Sequence, residues 1–458
     1  MKQSEILSEL IEEIILTHSK DYDWSKDHGI PGFCAITGKD GAGYSFSSNA
    51  SKLLAQLAQR FFENRKNTCV KLELHAYSKL LRQSFVDVLS NVQDDESIKD
   101  ITDIIPMLKS NIETRVKNTA VKFTHLTPTK LSFPEGYNKL DFGSVVIYQF
   151  SDWVTNTNLK MGGSSDWKNI IFKGSHVEPD IEQIHADLTS NHQDIDETPY
   201  NISTLLQDFQ KPYDKVIELE IEGYEIELSR KLGRLVSKTA VDSINLAFAS
   251  DENVFNRNMI RYERQPVIFE STISIHKDRL HNSIKNHYRE DPLEPGIDFT
   301  KYCDSIGQIV SSLVKGGDDS KLSQRWATSL DWFAEGCRER DDALAITKMA
   351  TALDILAHAS KYQPIVDMLS NLLNIQKNTL VFTNNSKEQE LDLSKAVKKI
   401  YNDSRSKFVH GSLVDRLESY NNERIIAFSL ARRALIEAAI RLKTYSGSPD
   451  DSKAFRTM

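Results

Sequence analysis

The sequence predicts an α+β chain, with a mixed α/β N-terminal region followed by an all-helical C-terminal bundle. Apolar residues recur at helical spacing near the start and through the last third. The middle is rich in β-branched and alternating runs set between Pro, Gly and Asn turns. The run Gly316, Gly317, Asp318, Asp319, Ser320 punctuates the second half just before helical patterning resumes.

Taken in order, Met1 to His18 forms an amphipathic helix with Ile6, Leu7, Leu10, Ile11 and Ile14 as its stripe, and Lys52 to Phe62 forms another through Leu53, Leu54, Leu57 and Phe61. Between them Gly38, Lys39, Asp40, Gly41, Ala42, Gly43 reads as a hairpin or loop. A phosphate-binding loop needs Lys followed by Ser or Thr so that backbone donors and ammonium converge, and Lys39 is followed by Asp40. Strand texture occupies Val121 to Phe123, Phe142 to Phe150, Asn169 to Phe172 and Val216 to Ile226, and Ser229 to Phe248 returns to helical spacing. Arg257, Arg261, Arg264, His276, His281 and His287, interleaved with Tyr262 and Tyr288, fit a surface connector or a nucleic-acid contact. Further helices follow around Trp326, from Ile346 to Ala357, from Ile365 to Leu372 and from Ile425 to Leu442, the last apolar enough to be buried on two sides.

With 458 residues, 40% hydrophobic and 27% charged, the chain has room for two or three domains and a substantial core. No stretch approaches the roughly 20 apolar residues that cross a bilayer, and the acidic Met1 to Leu16 is no signal peptide, so a cytoplasmic location without a membrane partner is expected. Cys34, Cys69, Cys303 and Cys337 are too scattered for a disulfide framework or a CxxC site and read as reduced thiols. His176 to Tyr200 holds seven Asp and Glu with His176, His185 and His192 but no metal-ligand spacing, and reads as a solvated acidic loop. No metal and no cofactor is therefore expected.

The net charge of −8 excludes a generally basic coat, yet Leu393 to Lys443 carries eleven Lys and Arg against five Asp and Glu. Inside that stretch lies Tyr401, Asn402, Asp403, Ser404, Arg405, Ser406, Lys407, Phe408, Val409, His410, Gly411. Arginine offers a planar fork of donors to phosphate, and histidine titrates near neutrality. Together they supply what metal-free RNA cleavage needs. Glu390 to Val409 patterns as a helix ending at Gly411, with His410 in its last turn, where the dipole favours an imidazolium. Arg405 would stand about 140° around an ideal helix from His410, so a bend or a second subunit must complete the pair.

The wording from Tyr401 to Gly411 resembles the signature of the Apea-like branch of the HEPN family, an Arg and a His separated by four to six residues. Trp326, Ala327, Ser329, Leu330, Trp332 and Phe333 are similar to its opening helix. Ala350 to Leu356 is similar to its second helix, with Ala352, Leu353, Asp354 where Ala-Leu-Glu is common. The resemblance implies a helical HEPN nuclease domain over residues 321–446, after an N-terminal mixed regulatory or sensing region over 1–315 and before a flexible tail over 447–458. It implies a homodimer joined through that domain and a metal-independent endoribonuclease of anti-phage, abortive-infection type, leaving 2′,3′-cyclic phosphate and 5′-hydroxyl ends. Arg405 and His410 would be catalytic, supported by Ser406, Lys407, Tyr401 and Asp354, with RNA as substrate and a phage-derived trigger. The alternative is a non-catalytic HEPN module for dimerisation or nucleic-acid binding.

Overall fold

The stripe of Ile6, Leu7, Leu10 and Ile14 lies buried on helix α1 (Gln3–Thr17). It belongs to a computed structural model that describes every residue except 1, 20–21, 28–35, 39–40, 42, 66–69, 95–100, 120, 132–136, 159–214, 249–254, 256–266, 270–272, 276–279, 282–297, 384–389 and 407–419. Two compact units divide the chain, Met1–Phe123 with Ile221–Lys231, and Thr124–Glu220 with Leu232–Met458.

In the first unit, α1 is joined by α2 (Ser48–Glu63), α3 (Leu74–Asp94) and α4 (Ile101–Asn118). Ser47 starts α2 by accepting a bond from the Ala50 amide at 3.0 Å, a serine N-cap that satisfies one of the helix's orphan donors. Leu10, Leu54, Leu57, Phe61, Leu81, Phe85, Leu108 and Ile112 share one apolar cluster. The glycine-studded segment holds a short antiparallel pair, β1 (Ile36–Thr37) with β2 (Gly43–Tyr44), and Gly41 sits between them at φ +80°, a conformation that suits glycine. The sequence reading passed over helices α3 and α4, although Tyr77, Leu81, Phe85 and Val88, then Ile104, Leu108, Ile112 and Val116, recur at helical spacing; an ion pair from Arg115 to the buried Asp87 ties them together.

The second unit is built on a mixed sheet with strand order β4-β5-β6-β3-β8-β7, and β9 also pairs with β3. The strands are β3 (Phe123–Lys130), β4 (Lys139–Asp141), β5 (Val145–Gln149), β6 (Lys215–Ile221), β7 (Val267–Phe269), β8 (Ile273–Ile275) and β9 (Leu280–His281). Antiparallel pairing joins β4 to β5 and β5 to β6, whereas β8 and β9 run parallel to β3. Against the sequence expectation, β3 begins only at Phe123, and the run Val216 to Ile226 breaks after Ile221 because Gly223 turns the chain at φ +81°. The stretch from Arg257 to Tyr288, read as a connector, contributes β7, β8 and β9. Asn169 to Phe172 and His176 to Tyr200 lie outside the described residues.

Around the sheet stand α5 (Phe150–Asn156) and α6 (Ile226–Phe248), followed by α7 (Phe299–Lys315), α8 (Lys321–Arg338), α9 (Asp342–Ala357) and α10 (Tyr362–Leu372). The hairpin β10 (Leu380–Thr383) and β11 (Glu390–Asp392) then leads into α11 (Leu393–Lys398), and the long helix α12 (Asn421–Leu442) comes later. The architecture is thus α+β and mainly helical. Trp326 on α8 donates to the Leu435 carbonyl of α12 at 2.9 Å, and Ser329 donates to the Ala352 carbonyl of α9 at 2.7 Å. Gly336 permits the close approach of α8 to α9, since a Cβ there would meet Met349 Cγ at 2.8 Å. Among the described residues no helix is long and apolar enough to cross a membrane.

The last residues, expected to be a flexible tail, pack onto this unit instead. Ala454 and Phe455 of the short helix α13 (Ala454–Thr457) are fully buried, and Arg456 donates to the Ala357 carbonyl at 2.6 Å and to the His358 carbonyl. Lys321 pairs with Asp450 at 2.5 Å, and Asn371 donates to the Met458 carbonyl at 2.5 Å.

Candidate functional site

Arg405 is carried by a segment whose winding differs from that expected. Glu390 to Asp392 are strand, so the helix starts at Leu393, where the Asp392 carboxylate accepts from the Lys395 amide at 2.8 Å. From Lys399 to Ser406 the helix continues as a π-helix, with bonds closing over five residues rather than four. The 140° offset of an ideal α-helix therefore does not describe the approach to Arg405. Such windings are uncommon and cluster at functional sites. Ile400 and Tyr401 anchor the segment, at 1% and 7% exposure.

Helix α9 supplies the facing group. Asp341 caps it by accepting from Leu344 at 3.0 Å, and Ala345, Ile346, Met349, Ala350, Leu353 and Leu356 bury one face. Asp354 borders that face, its side chain 15% exposed, and Arg405 Nη2 donates to its Oδ2 at 3.1 Å. The Arg405 guanidinium carbon lies 4.8 Å from the Tyr401 ring centroid, within cation–π range. Three residues chosen from the sequence, Arg405, Tyr401 and Asp354, thus converge. Ser406 ends the π-helix, its side chain outside the description, while Lys407 and His410 lie outside the described residues.

Among the described residues, Arg405 Nε and Asp354 Oδ1 are buried with no hydrogen bond of ordinary geometry, and the Tyr401 hydroxyl interacts with both side chains. A buried polar atom left unsatisfied is costly and calls for an explanation, and a bound ligand is one. Burial pushes the Asp354 carboxyl above the usual carboxylate range; Arg405, the Tyr401 hydroxyl and His358 pull it down without cancelling that rise. Burial likewise raises the Tyr401 phenol, aided by the Asp354 charge and opposed by Arg405. The arrangement is a guanidinium laid on an aromatic face, fixed by one carboxylate oxygen, with donor capacity on its Nε.

His358, which the sequence reading passed over, ends α9 one turn beyond Asp354. Its left-handed backbone, φ 45° and ψ 58°, has no signature in residue type or periodicity. Among the described residues no group of His, Cys, Asp and Glu is arranged to hold a metal ion. No family model matches the sequence, and no curated protein or solved structure is significantly similar to it.

Proposed function

We propose that this chain is a metal-independent endoribonuclease of the HEPN type, with Arg405 and His410 as its catalytic pair. The observation that supports the reading is the Arg405 guanidinium, held by Asp354 and laid on the Tyr401 ring near the end of a π-helix. In the reaction the RNA 2′-oxygen attacks the adjacent phosphorus, forming the O2′–P bond and breaking P–O5′. His410 moves a proton, and Arg405 neutralises the charge that builds on the phosphoryl oxygens. The products carry a 2′,3′-cyclic phosphate and a 5′-hydroxyl. Lys407 and Ser406 would contact phosphate or ribose, and Tyr401 and Asp354 would position the arginine.

In this reading residues 321–446 form the HEPN-like domain and join it to a second copy, the N-terminal region restrains it until a phage-derived trigger arrives, and the setting is cytoplasmic anti-phage defence. The direct ion pair of Arg405 with Asp354 also favours a second reading, a non-catalytic module for dimerisation or nucleic-acid binding, in which the pair is structural.

Product ends separate the two. Purified wild type and His410→Ala, matched for oligomeric state, are given mixed RNA in EDTA, and an oligonucleotide bearing a single 2′-deoxy at a mapped cleavage position is tested alongside. Cyclic-phosphate ends from the wild type alone, with the 2′-deoxy site spared, are expected. Equal cleavage by both proteins, or none by either under inducing conditions, contradicts the nuclease.

A further inference from the structure

Among the described residues, β11 is the one strand paired with β10, so the other side of β10 is an open sheet edge. The register shows what that edge offers. Leu380 stands opposite Asp392, and the Leu393 amide donates to the Thr379 carbonyl at 3.0 Å. A bond from the residue after one member of an antiparallel pair to the residue before the other marks the pair itself as non-hydrogen-bonded. The N–H and C=O of Leu380 therefore point away from β11. Edge strands are commonly guarded by charge or proline, and Leu380, Val381, Phe382 and Thr383 bring neither. Their guard is a bulge at Val381, which has no register partner in β11; it twists the strand but leaves the Leu380 groups open.

A groove of about 520 Å³ borders this edge, lined by Thr379, Leu380 and Val381 and, among the described residues, by none of β11. Its floor is apolar. Leu372 of α10 and Leu430 and Ile436 of α12 are buried there, while Leu380 at its lip is 53% exposed. Along α12, Ser429, Arg433 and Glu437 follow at one-turn spacing, so they share a face. Arg441 ends the row already engaged: its Nε lies 3.8 Å from the Glu437 carboxylate, and it donates to the Leu372 and Met458 carbonyls at 2.6 and 2.7 Å. Arg441 thus offsets the charge of Glu437, and the exposed Arg433 leaves this side of the groove positive.

Outward backbone groups, an apolar floor and a cation thus lie side by side. An extended chain bound at a sheet edge uses all three, since its main chain continues the sheet while alternate side chains fill pockets. We propose that the outer edge of β10 and its groove form a docking site for an extended acidic peptide of a partner protein. The peptide adds a strand beside Leu380, sets apolar side chains over Leu430 and Ile436, and brings a carboxylate to Arg433. A helical partner would leave the Leu380 groups unmet, and a basic one would set like charge against Arg433. A second copy's β10 has no carboxylate to offer, because the strand is uncharged. The inference goes beyond the ribonuclease reading and does not depend on it, for the groove contains none of Arg405, Tyr401 and Asp354.

Two short fluorescein-labelled peptides test this, one alternating Val with Glu and the other alternating Val with Lys, each titrated by anisotropy into the full-length protein at low salt. The Glu peptide should bind about tenfold more tightly or better. Leu380→Pro removes an N–H that β11 does not use, so it should abolish binding while circular dichroism and melting match the wild type. Arg433→Glu should reverse the preference between the peptides, and this reversal decides the matter if the proline variant does not fold. Binding of neither peptide, equal binding of both, undiminished binding to a folded Leu380→Pro, or a preference that survives Arg433→Glu overturns the proposal. A dimer that Leu380→Pro converts to monomer, and that the Glu peptide fails to dissociate, also overturns it and assigns the edge to a second copy.

Discussion

Arg405 meets two requirements that pull against each other, staying charged while being held in one orientation. Tyr401 and Asp354 do the holding, and the cost falls on Asp354. Burial raises its carboxyl above the unfolded value of about 3.9. Between that value and the raised one the folded chain binds more protons than the unfolded chain, so this group's contribution to stability falls as pH rises through the window. Asp354→Asn removes the titration, and its thermal melt at pH 7 should equal or exceed that of the wild type. Its RNA cleavage should drop, because the asparagine no longer fixes the guanidinium by charge. A melting temperature several degrees lower at pH 7 would show instead that the pair serves stability.

Between elements, a buried polar link in the second unit joins α6 to α8. Asp242 and Arg338 are an ion pair at 1% and 2% side-chain exposure, and Lys238 adds bonds to Asp242 at 2.9 Å and to Asp331. Burial alone would raise the Asp242 carboxyl, but Arg338 and Lys238 outweigh it and hold the group below the usual range. Its contribution is therefore present above the unfolded value of about 3.9 and is lost as pH falls through the depressed folded one. Arg338→Met leaves the buried Asp242 carboxylate with Lys238 alone and should cost up to about 3–5 kcal/mol in denaturant unfolding, part of it recovered by adding Asp242→Leu. Additive costs in that double mutant would contradict the coupling. None of this was legible in the sequence, because the partners lie 96 residues apart and Asp242 interrupts no apolar stripe. The stripes of α1, α2, α9 and α10 were legible because apolar periodicity is a local property. The winding from Lys399 to Ser406 was not, since bonds closing over five rather than four residues leave almost the same apolar pattern across eight positions. The Arg405 motif could be read for its chemistry, but its fixation by Asp354 spans 51 residues and needed the fold.

Across the second unit, the C-terminal segment acts as a strap and not as a loose end. Sequence reading missed it because Ser446 to Lys453 is short, polar and rich in turn residues, and one aromatic, Phe455, carries most of its apolar surface. That ring is fully buried, so Phe455→Ala should lower stability by about 3–5 kcal/mol. Arg456 grips the end of the helix bearing Asp354 and His358, so loosening the strap should also slow RNA cleavage. Equilibrium unfolding and cleavage rates of Phe455→Ala and Arg456→Ala check both effects, and a strap that matters only for stability would leave the Arg456→Ala rate unchanged at temperatures where the protein is folded. The central claim, that Arg405 drives metal-free cleavage of RNA, is tested most directly by the cleavage rate of a uniform RNA in excess EDTA, under inducing conditions, for wild type and a folded Arg405→Ala. A fall of about 10²- to 10³-fold is predicted from the loss of the charge-stabilising group; equal rates, or a wild-type rate no greater than that of RNA alone, would contradict it.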